Sequence, residues 1–501
     1  MTVTRDISAA AHETFDLIVV GGGVYGAMLL LEASRCGLRA VAVERDDFGG
    51  GTSWNHLRIL HGGLRYLQSL DWARHRESVE ERRRFLIDFE DYVHPLPCWM
   101  PLAWKGLRNP IAMGVAGHID AWISAGRNAG VVSERQLPRG RVWNRQECMR
   151  HVDGWGIGKA ANAFRWFDAF VPSPRRLLME ILHRACDAGS LALNYTEALS
   201  PIVRRNAVAG LLVRDRLANR EIELRAPLVV NAAGPETGSL TETWGCGSEP
   251  VAPHTLSWNV LLDIAPDFDE ALAVAAPRRG APVLFLIPWE GRLLAGTGHA
   301  AVQTGGGHVV PPDALSAFLE DLKLAAPGLG VHPDRVLRVY SGLLPGVRAG
   351  SAMLSARPTV LDHGAHGEPK GLWSVVGVKF TTARRVAAET LRRATGRLAG
   401  VPDPAHEDSS TLRRERLGFG PDWRAESDPD GARILQSLIG DESVIHLDDL
   451  LLRRTSLGDD PRTANALAPQ LAQWFGEDEA TRSKECDRVK RALGHARSPL
   501  E

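Results

Sequence analysis

Residues 15–44, FDLIVVGGGVYGAMLLLEASRCGLRAVAVE, constrain the fold of this chain more than any other stretch. Asp16 to Val20 is a short apolar run rich in β-branched residues, the pattern of a buried strand. It leads directly into Gly21-Gly22-Gly23-Val24-Tyr25-Gly26, which satisfies G-x-G-x-x-G through Gly21, Gly23 and Gly26. A helical run from Ala27 to Ser34 follows and is closed by Gly37, and a second strand, Arg39 to Val43, ends on Glu44. The three glycines of such a motif serve a tight turn, close approach of a pyrophosphate to backbone, and tight packing of helix on strand. Gly26 opens the helix, whose free N–H groups and positive dipole end suit phosphates. Glu44 lies about twenty residues beyond the glycines, where a carboxylate takes the hydroxyls of a ribose. Strand, glycine turn, helix, strand and acid together predict a dinucleotide-binding βαβ unit.

A chain of 501 residues predicts two or three domains around that unit. Lysine and arginine number 59 against 60 acids, so nothing in the charge asks for a polyanionic partner. Cys36, Cys98, Cys148, Cys186, Cys246 and Cys486 contain no C-x-x-C pair, which argues against a zinc site or disulfide scaffold and suits a reducing compartment. Residues 1–14 lack the apolar core of a signal peptide, and no window reaches eighteen uninterrupted apolar residues. The expectation is a cytoplasmic protein without a transmembrane helix.

After Glu44 come Arg45-Asp46-Asp47-Phe48, the loop Gly49-Gly50-Gly51-Thr52-Ser53, and then His61-Gly62-Gly63-Leu64-Arg65-Tyr66-Leu67, preceded by Leu60. VVGGGVYGA, E-x-DDF-x-x-GTS and HGGLRYL together resemble the FAD-dependent glycerol-3-phosphate dehydrogenase family, within the D-amino-acid-oxidase-like flavoproteins. The resemblance continues at Asn231-Ala232-Ala233-Gly234-Pro235 and at Gly377-Val378-Lys379-Phe380-Thr381-Thr382-Ala383-Arg384, and more weakly at DDLLLRRT from Asp448. It implies an α/β fold: a Rossmann-like FAD-binding domain, an antiparallel-sheet substrate domain and a C-terminal helical domain. The boundaries read as 15–95, 150–240 and 336–400 for FAD binding, 96–149 and 241–335 for substrate, and 411–501 for the helices, after a Pro- and Asp-rich linker at 401–410.

Between the motifs, Asp71 to Phe89 is charged and periodic, with Glu80, Glu81, Arg82, Arg83 and Arg84, and predicts a helix whose charges form a solvated face. The Trp-, Pro- and Gly-rich stretch around 99–126 reads as a core segment in preference to an amphipathic membrane surface. WFDAFV, ending at Val171, enters a helix that Ser173 can cap with Pro174 at its first position.

The resemblance implies FAD as cofactor, held by Gly21, Gly23, Val24, Tyr25, Gly26, Glu44, Arg45, Gly51, Thr52, Ser53, Leu60, His61, Gly62, Gly63, Ala232, Ala233, Gly234, Gly377, Lys379, Phe380 and Thr381, with no metal. It also implies oxidation of the C–OH of a small substrate carrying phosphate or carboxylate, with hydride passing to flavin N5. Of the histidines near these motifs, His56, His61 and His299, the one at the HGG position, His61, is the expected base. Arg65 and Lys379 match the family's anion-binding cations. The segment YSGLLPGVR departs from Y-S-G-V-R-P, with Leu344 at the arginine position, and Arg348 is the expected replacement. Trp258 stands where the family has histidine, and His299 where it has aspartate, which suggests a more apolar pocket and leaves glycerol 3-phosphate, another hydroxy acid or an amine open. The alternatives are an amino-acid or amine oxidase of the same fold and an inert flavin-binding homologue. The electron acceptor is a quinone or oxygen, with peripheral contact at the inner face of a membrane as a family inference.

Overall fold

The computed structural model describes residues 2–102, 108–152, 162–247, 251, 253–278, 280–302, 308–396, 424–425 and 427–494; the expected linker lies outside them. The helices that matter below are α1 (Val24–Arg35), α2 (Trp72–Asp88), α3 (Pro110–Ile123), α4 (Pro174–Asp187), α5 (Pro312–Ala325), α6 (Ala383–Thr395), α7 (Pro429–Asp441), α8 (Pro461–Leu471) and α9 (Glu479–Gly494).

The strand Leu17–Val20 sits inside a six-stranded sheet, in the order Thr359–Asp362, Leu372–Val376, Val229–Asn231, Leu17–Val20, Ala40–Val43, Leu191–Leu193. All neighbours run parallel except the first pair. Strands covered on both faces read as unbroken apolar runs, and LIVV and AVAV are buried throughout. One of those faces packs its leucines and valines against α1, α4 and α6. Ser173 caps α4 by accepting from the Arg176 N–H, with Pro174 at the first helical position. A three-stranded antiparallel ribbon, Thr196–Arg204, Ala207–Asp215 and Arg220–Arg225, branches from this sheet's edge.

The second sheet has nine strands and is mainly antiparallel. Its long members are His94–Leu102, Asn162–Phe170, His254–Leu262, Arg292–Ala301 and Val336–Pro345. The chain therefore crosses between the two sheets inside the stretches 150–240 and 336–400: Asn162–Phe170 pairs with His94–Leu102, and Val336–Pro345 with His254–Leu262. Leu315, Phe318, Leu319 and Leu322 of α5 cover one face of this sheet, packing on Leu256, Trp258 and Val260. The C-terminal helices α7, α8 and α9 enclose their own core together with the short turn Leu447–Asp449 and the π-helical turn Leu450–Arg454.

Two expectations fail here. Although α2 is as charged as its sequence says, Glu81 and Arg82 are buried: Glu81 pairs with Arg384 of α6, and Arg82 reaches inward to Asp168. A charge-rich helix looks solvated in sequence because the acids and bases that pair with it lie elsewhere in the chain. Conversely, α3 is not a core helix. Only Met113 and Gly117 are buried, whereas Ile111, Val115 and Trp122 are 75%, 55% and 76% exposed. Its apolar face is wider than the single stripe that the sheet beneath can cover.

Candidate active site

A cavity of about 1760 Å³ runs between the two sheets, from the glycine turn to the mouth beside α3. Its first end is built from backbone. Gly21 has φ +103°, and a Cβ there would lie 2.7 Å from the Ala232 carbonyl oxygen, so only glycine lets the two strand ends meet. A Cβ on Gly26 would lie 1.8 Å from the Gly21 oxygen, so this glycine serves the packing of α1 on its strand and does not line the cavity. The Glu44 carboxylate accepts from the Gly22 and Asp46 N–H groups at 2.7 and 3.0 Å, and burial nevertheless raises its pKa. The Val24 N–H donates to Ser53 Oγ at 2.9 Å, which brings the GGGTS loop to the start of α1.

Tyr25 closes the cradle from across the chain. Its hydroxyl donates to the Lys379 carbonyl at 2.7 Å and accepts from the Lys379 N–H at 3.3 Å. Its ring fills the space over Gly377, where a Cβ would lie 1.6 Å from Cζ. Burial pushes the Tyr25 phenol up to about 12, so it stays a neutral donor. Every residue expected to hold the cofactor lines the cavity except Gly26, Leu60 and Gly62. Leu60 is fully buried in the core, and Gly62 is covered by Arg82.

The cavity fits a dinucleotide on observations of its own. Asn55 and His56 line it, and Asn55 Oδ1 and His56 Nε2 are buried without a hydrogen-bond partner, as happens where a ligand supplies one. Burial, then the charges of Arg58 and His61, push the His56 pKa down to about 3, so this ring stays neutral and is a poor proton acceptor.

At the other end the walls are side chains. Along Asn162–Phe170 the alternation of a strand puts Phe164, Trp166 and Asp168 on one face. The Asp168 carboxylate accepts from the Gly62 N–H at 2.7 Å, Arg82 Nη1 at 2.8 Å and Trp166 Nε1 at 3.2 Å. Its other partner is His61 Nδ1 at 3.3 Å. Burial alone would raise the pKa of Asp168, but His61, Arg82 and the Gly62 N–H outweigh it and hold the group at about 2. His61 itself is half-exposed to the cavity, 5.3 Å from the Phe285 ring. Across from it, Ser257 Oγ meets His299 Nδ1 at 2.8 Å, Asn259 Nδ2 donates to the Asn55 carbonyl at 2.8 Å, and Thr297 Oγ1 donates to Asn259 Oδ1 at 3.0 Å.

Trp258 does not make this pocket apolar. Its neighbours Ser257 and Asn259 line the cavity, whereas the Trp258 ring packs 6.1 Å from Phe318 of α5 on the sheet's other face. Of the expected cations, Lys379 lines the cavity with its Nζ 4.2 Å from the centre of the Tyr66 ring. Arg348 is exposed on the turn after Val336–Pro345 and lies off the cavity wall, because Leu343 and Leu344 fill that position. The side chain of Arg65 lies outside the described residues. Arg108, which sequence reasoning passed over, lines the cavity near α3. Asp168 and Arg82 were passed over too; the available signal was an acid inside the aromatic strand WFDAFV.

Residues 16–391 match the family model described as FAD dependent oxidoreductase. A mitochondrial glycerol-3-phosphate dehydrogenase of Arabidopsis thaliana is 27% identical over 407 residues, covering 77% of this chain and 61% of that protein. A glycerol-3-phosphate dehydrogenase of Synechocystis is 28% identical over 428 residues, covering 80% and 73%. The chain thus spans about three fifths of the plant relative's length. The crystal structure of glycerol-3-phosphate dehydrogenase from Bacillus halodurans complexed with FAD superposes with a TM-score of 0.69 at 18% identity, covering 99% of this chain and 98% of that one. That superposition bears out the expected fold: a flavoprotein α/β unit, an antiparallel sheet and a helical C-terminal region.

Proposed function

The chain belongs to the FAD-dependent oxidoreductase family, and from that premise we propose that it oxidises the C–OH carbon of a small anionic substrate of the glycerol 3-phosphate kind. The observation that carries this reading is the His61–Asp168 pair at the substrate end of a cavity whose other end is shaped for a dinucleotide. FAD, when bound, supplies the acceptor for the hydride that leaves the substrate carbon.

The chain's own residues supply the rest. Asp168 is ionised and accepts at His61 Nδ1, which favours the tautomer whose Nε2 lone pair is free to take the hydroxyl proton. Gly62, Arg82 and Trp166 fix the carboxylate from three directions, so the imidazole is oriented before substrate arrives. Lys379 and Arg108 offer positive charge to the substrate's phosphate or carboxylate, with Arg65 as the family's third cation. Ser257, His299, Asn259 and Thr297 offer hydrogen bonds to a polyol.

Among the described residues no helix is long and apolar enough to cross a membrane. The exposed apolar face of α3, at the cavity mouth, supports peripheral contact with a lipid surface and a quinone there as electron acceptor.

Titration of the purified protein with glycerol 3-phosphate under argon tests the reading, followed at the flavin band at about 450 nm. Bleaching is the expected result. Protein without bound flavin, or flavin that neither glycerol 3-phosphate nor any 2-hydroxy acid bleaches, overturns it. Peroxide released with amines and not with alcohols assigns the chain to amine oxidation.

A further inference from the structure

A cluster of buried positive charge lies where the C-terminal helices meet the two sheets, and nothing in the chemistry above uses it. Four guanidiniums gather there. Arg175, Arg338 and Arg453 lie 5.3, 4.6 and 4.4 Å from the ring of Trp54, and Arg58 lies 3.8 Å over Trp289. Arg453 faces the charges of Asp47, Asp448 and Asp449, and the acid that the other three share is Asp459. It binds Arg175 through both oxygens, stands 3.9 Å from Arg58 Nη2 and accepts from the Tyr340 hydroxyl at 2.6 Å. The carboxylates that face Arg453 attract it through space but make their hydrogen bonds elsewhere: Asp47 with Arg454 at 2.6 and 2.8 Å, Asp448 with Arg488 at 2.8 Å, and Asp449 with the Tyr195 hydroxyl at 2.7 Å. Arg58 Nη1 and Nη2, Arg175 Nε, Arg338 Nε and Nη2, and Arg453 Nη1 are all buried without a hydrogen-bond acceptor. Aromatic faces offset part of that charge, but a buried cation without a counterion is costly.

Arg453 is the member of the cluster that reaches the large cavity. From the π-helical turn Leu450–Arg454 it lines that cavity, close to Gly50 and Ser53. A Cβ on Gly50 would lie 3.9 Å from Arg453 Nε and Nη2. Ser53 in turn touches the first N–H of α1, where the phosphates of a dinucleotide belong. A guanidinium at this place can hold a phosphate through two bonds.

Resting on the dinucleotide reading above, we propose that Arg453 is a ligand for the cofactor's pyrophosphate. The C-terminal helical unit then contributes directly to cofactor binding, and the cofactor supplies an acceptor to the Arg453 guanidinium, whose Nη1 is buried without one. Because a ligand stabilises what it contacts, FAD binding and the seating of residues 427–494 on the sheets are one linked equilibrium.

The test uses the full chain, stripped of flavin and titrated with FAD by fluorescence, as wild type, Arg453→Met and Arg453→Lys. Methionine keeps the length over Trp54 and removes the charge; lysine keeps the charge and loses the fork. Arg453→Met is expected to weaken FAD binding at least about tenfold and to flatten its salt dependence, with Arg453→Lys in between. The melting temperature of the apoprotein is expected to match wild type, while the rise on adding FAD shrinks. In wild type, FAD is expected to slow hydrogen exchange across 427–494; in Arg453→Met it is expected not to. Equal FAD affinity in wild type and Arg453→Met overturns the proposal. So does an apoprotein destabilised as much as the holoprotein, which makes the residue structural only. A small cavity of about 10 Å³ lined by Arg175 and Arg453 has room for one water-sized species. Stabilisation of the apoprotein by chloride over gluconate at fixed ionic strength, with FAD affinity unchanged in the variant, assigns the counterion to a halide there and also overturns the proposal. Wild type that takes up no FAD defeats the dinucleotide reading itself, a result distinct from equal loading of both proteins.

Discussion

The two ends of the cavity are made in different ways. At the dinucleotide end the walls are backbone: Gly21 against Ala232, Gly26 against Gly21, and the Gly22 and Asp46 N–H groups on Glu44. Short glycine-rich turns present the backbone on each side of these contacts, and a side chain is mostly an obstruction. At the substrate end the walls are side chains from elements far apart in sequence, with His61, Arg82 and Asp168 forming one unit across about a hundred residues of chain. There the identity of each group decides the chemistry, and a wrong group leaves a charge or a proton misplaced. The first end tolerates no added atoms; the second tolerates no missing ones.

That contrast can be broken by experiment, and the largest effect is expected at the backbone end. Gly26→Val puts atoms where the Gly21 oxygen already sits, so purified protein is expected to carry no flavin absorbance at all. Flavin at wild-type stoichiometry in this variant would show that the turn can move. At the substrate end, His61→Gln keeps the hydrogen bond to Asp168 and loses the proton acceptor. The flavin spectrum is expected to survive while kcat falls by about 10² to 10⁴, the usual worth of a general base. A kcat within a factor of a few would move the base elsewhere. Arg82→Met leaves Asp168 buried with one charge partner fewer, and a loss of about 3 to 5 kcal/mol is expected in denaturant unfolding of the holoprotein. A small loss would mean that the helix carrying Arg82 is as solvated as its composition suggests. Least of all, Arg348→Ala is expected to leave kcat/KM within about twofold, as for an exposed residue away from the site. A large rise in KM would bring this arginine back to the substrate.

The same contrast decides what was legible in the sequence. GGGVYG, NAAGP and GVKFTTAR are readable because short-range spacing sets turn geometry, and the structure puts all three on one cavity. Asp168 and Arg82 were not, because an acid in one strand and a base in a charge-rich helix declare their partnership only when folded. Trp258 was misplaced for a different reason. In a strand, neighbours face opposite ways, so a position aligned one residue off lands on the other side of the sheet. His254–Leu262 even shifts register against its neighbour between Trp258 and Asn259. The departure from the family at this position therefore belongs to the packing against α5, and the argument it offered for a more apolar pocket lapses.

The clasp of Tyr25 on Lys379 spans 354 residues. On a ribosome adding about 5 to 20 residues per second, the glycine turn emerges some 20 to 70 s before its closing partner. Through that interval the nascent chain has a phosphate-binding turn and no far wall. The clasp can close over the cavity only once most of the polypeptide has been made.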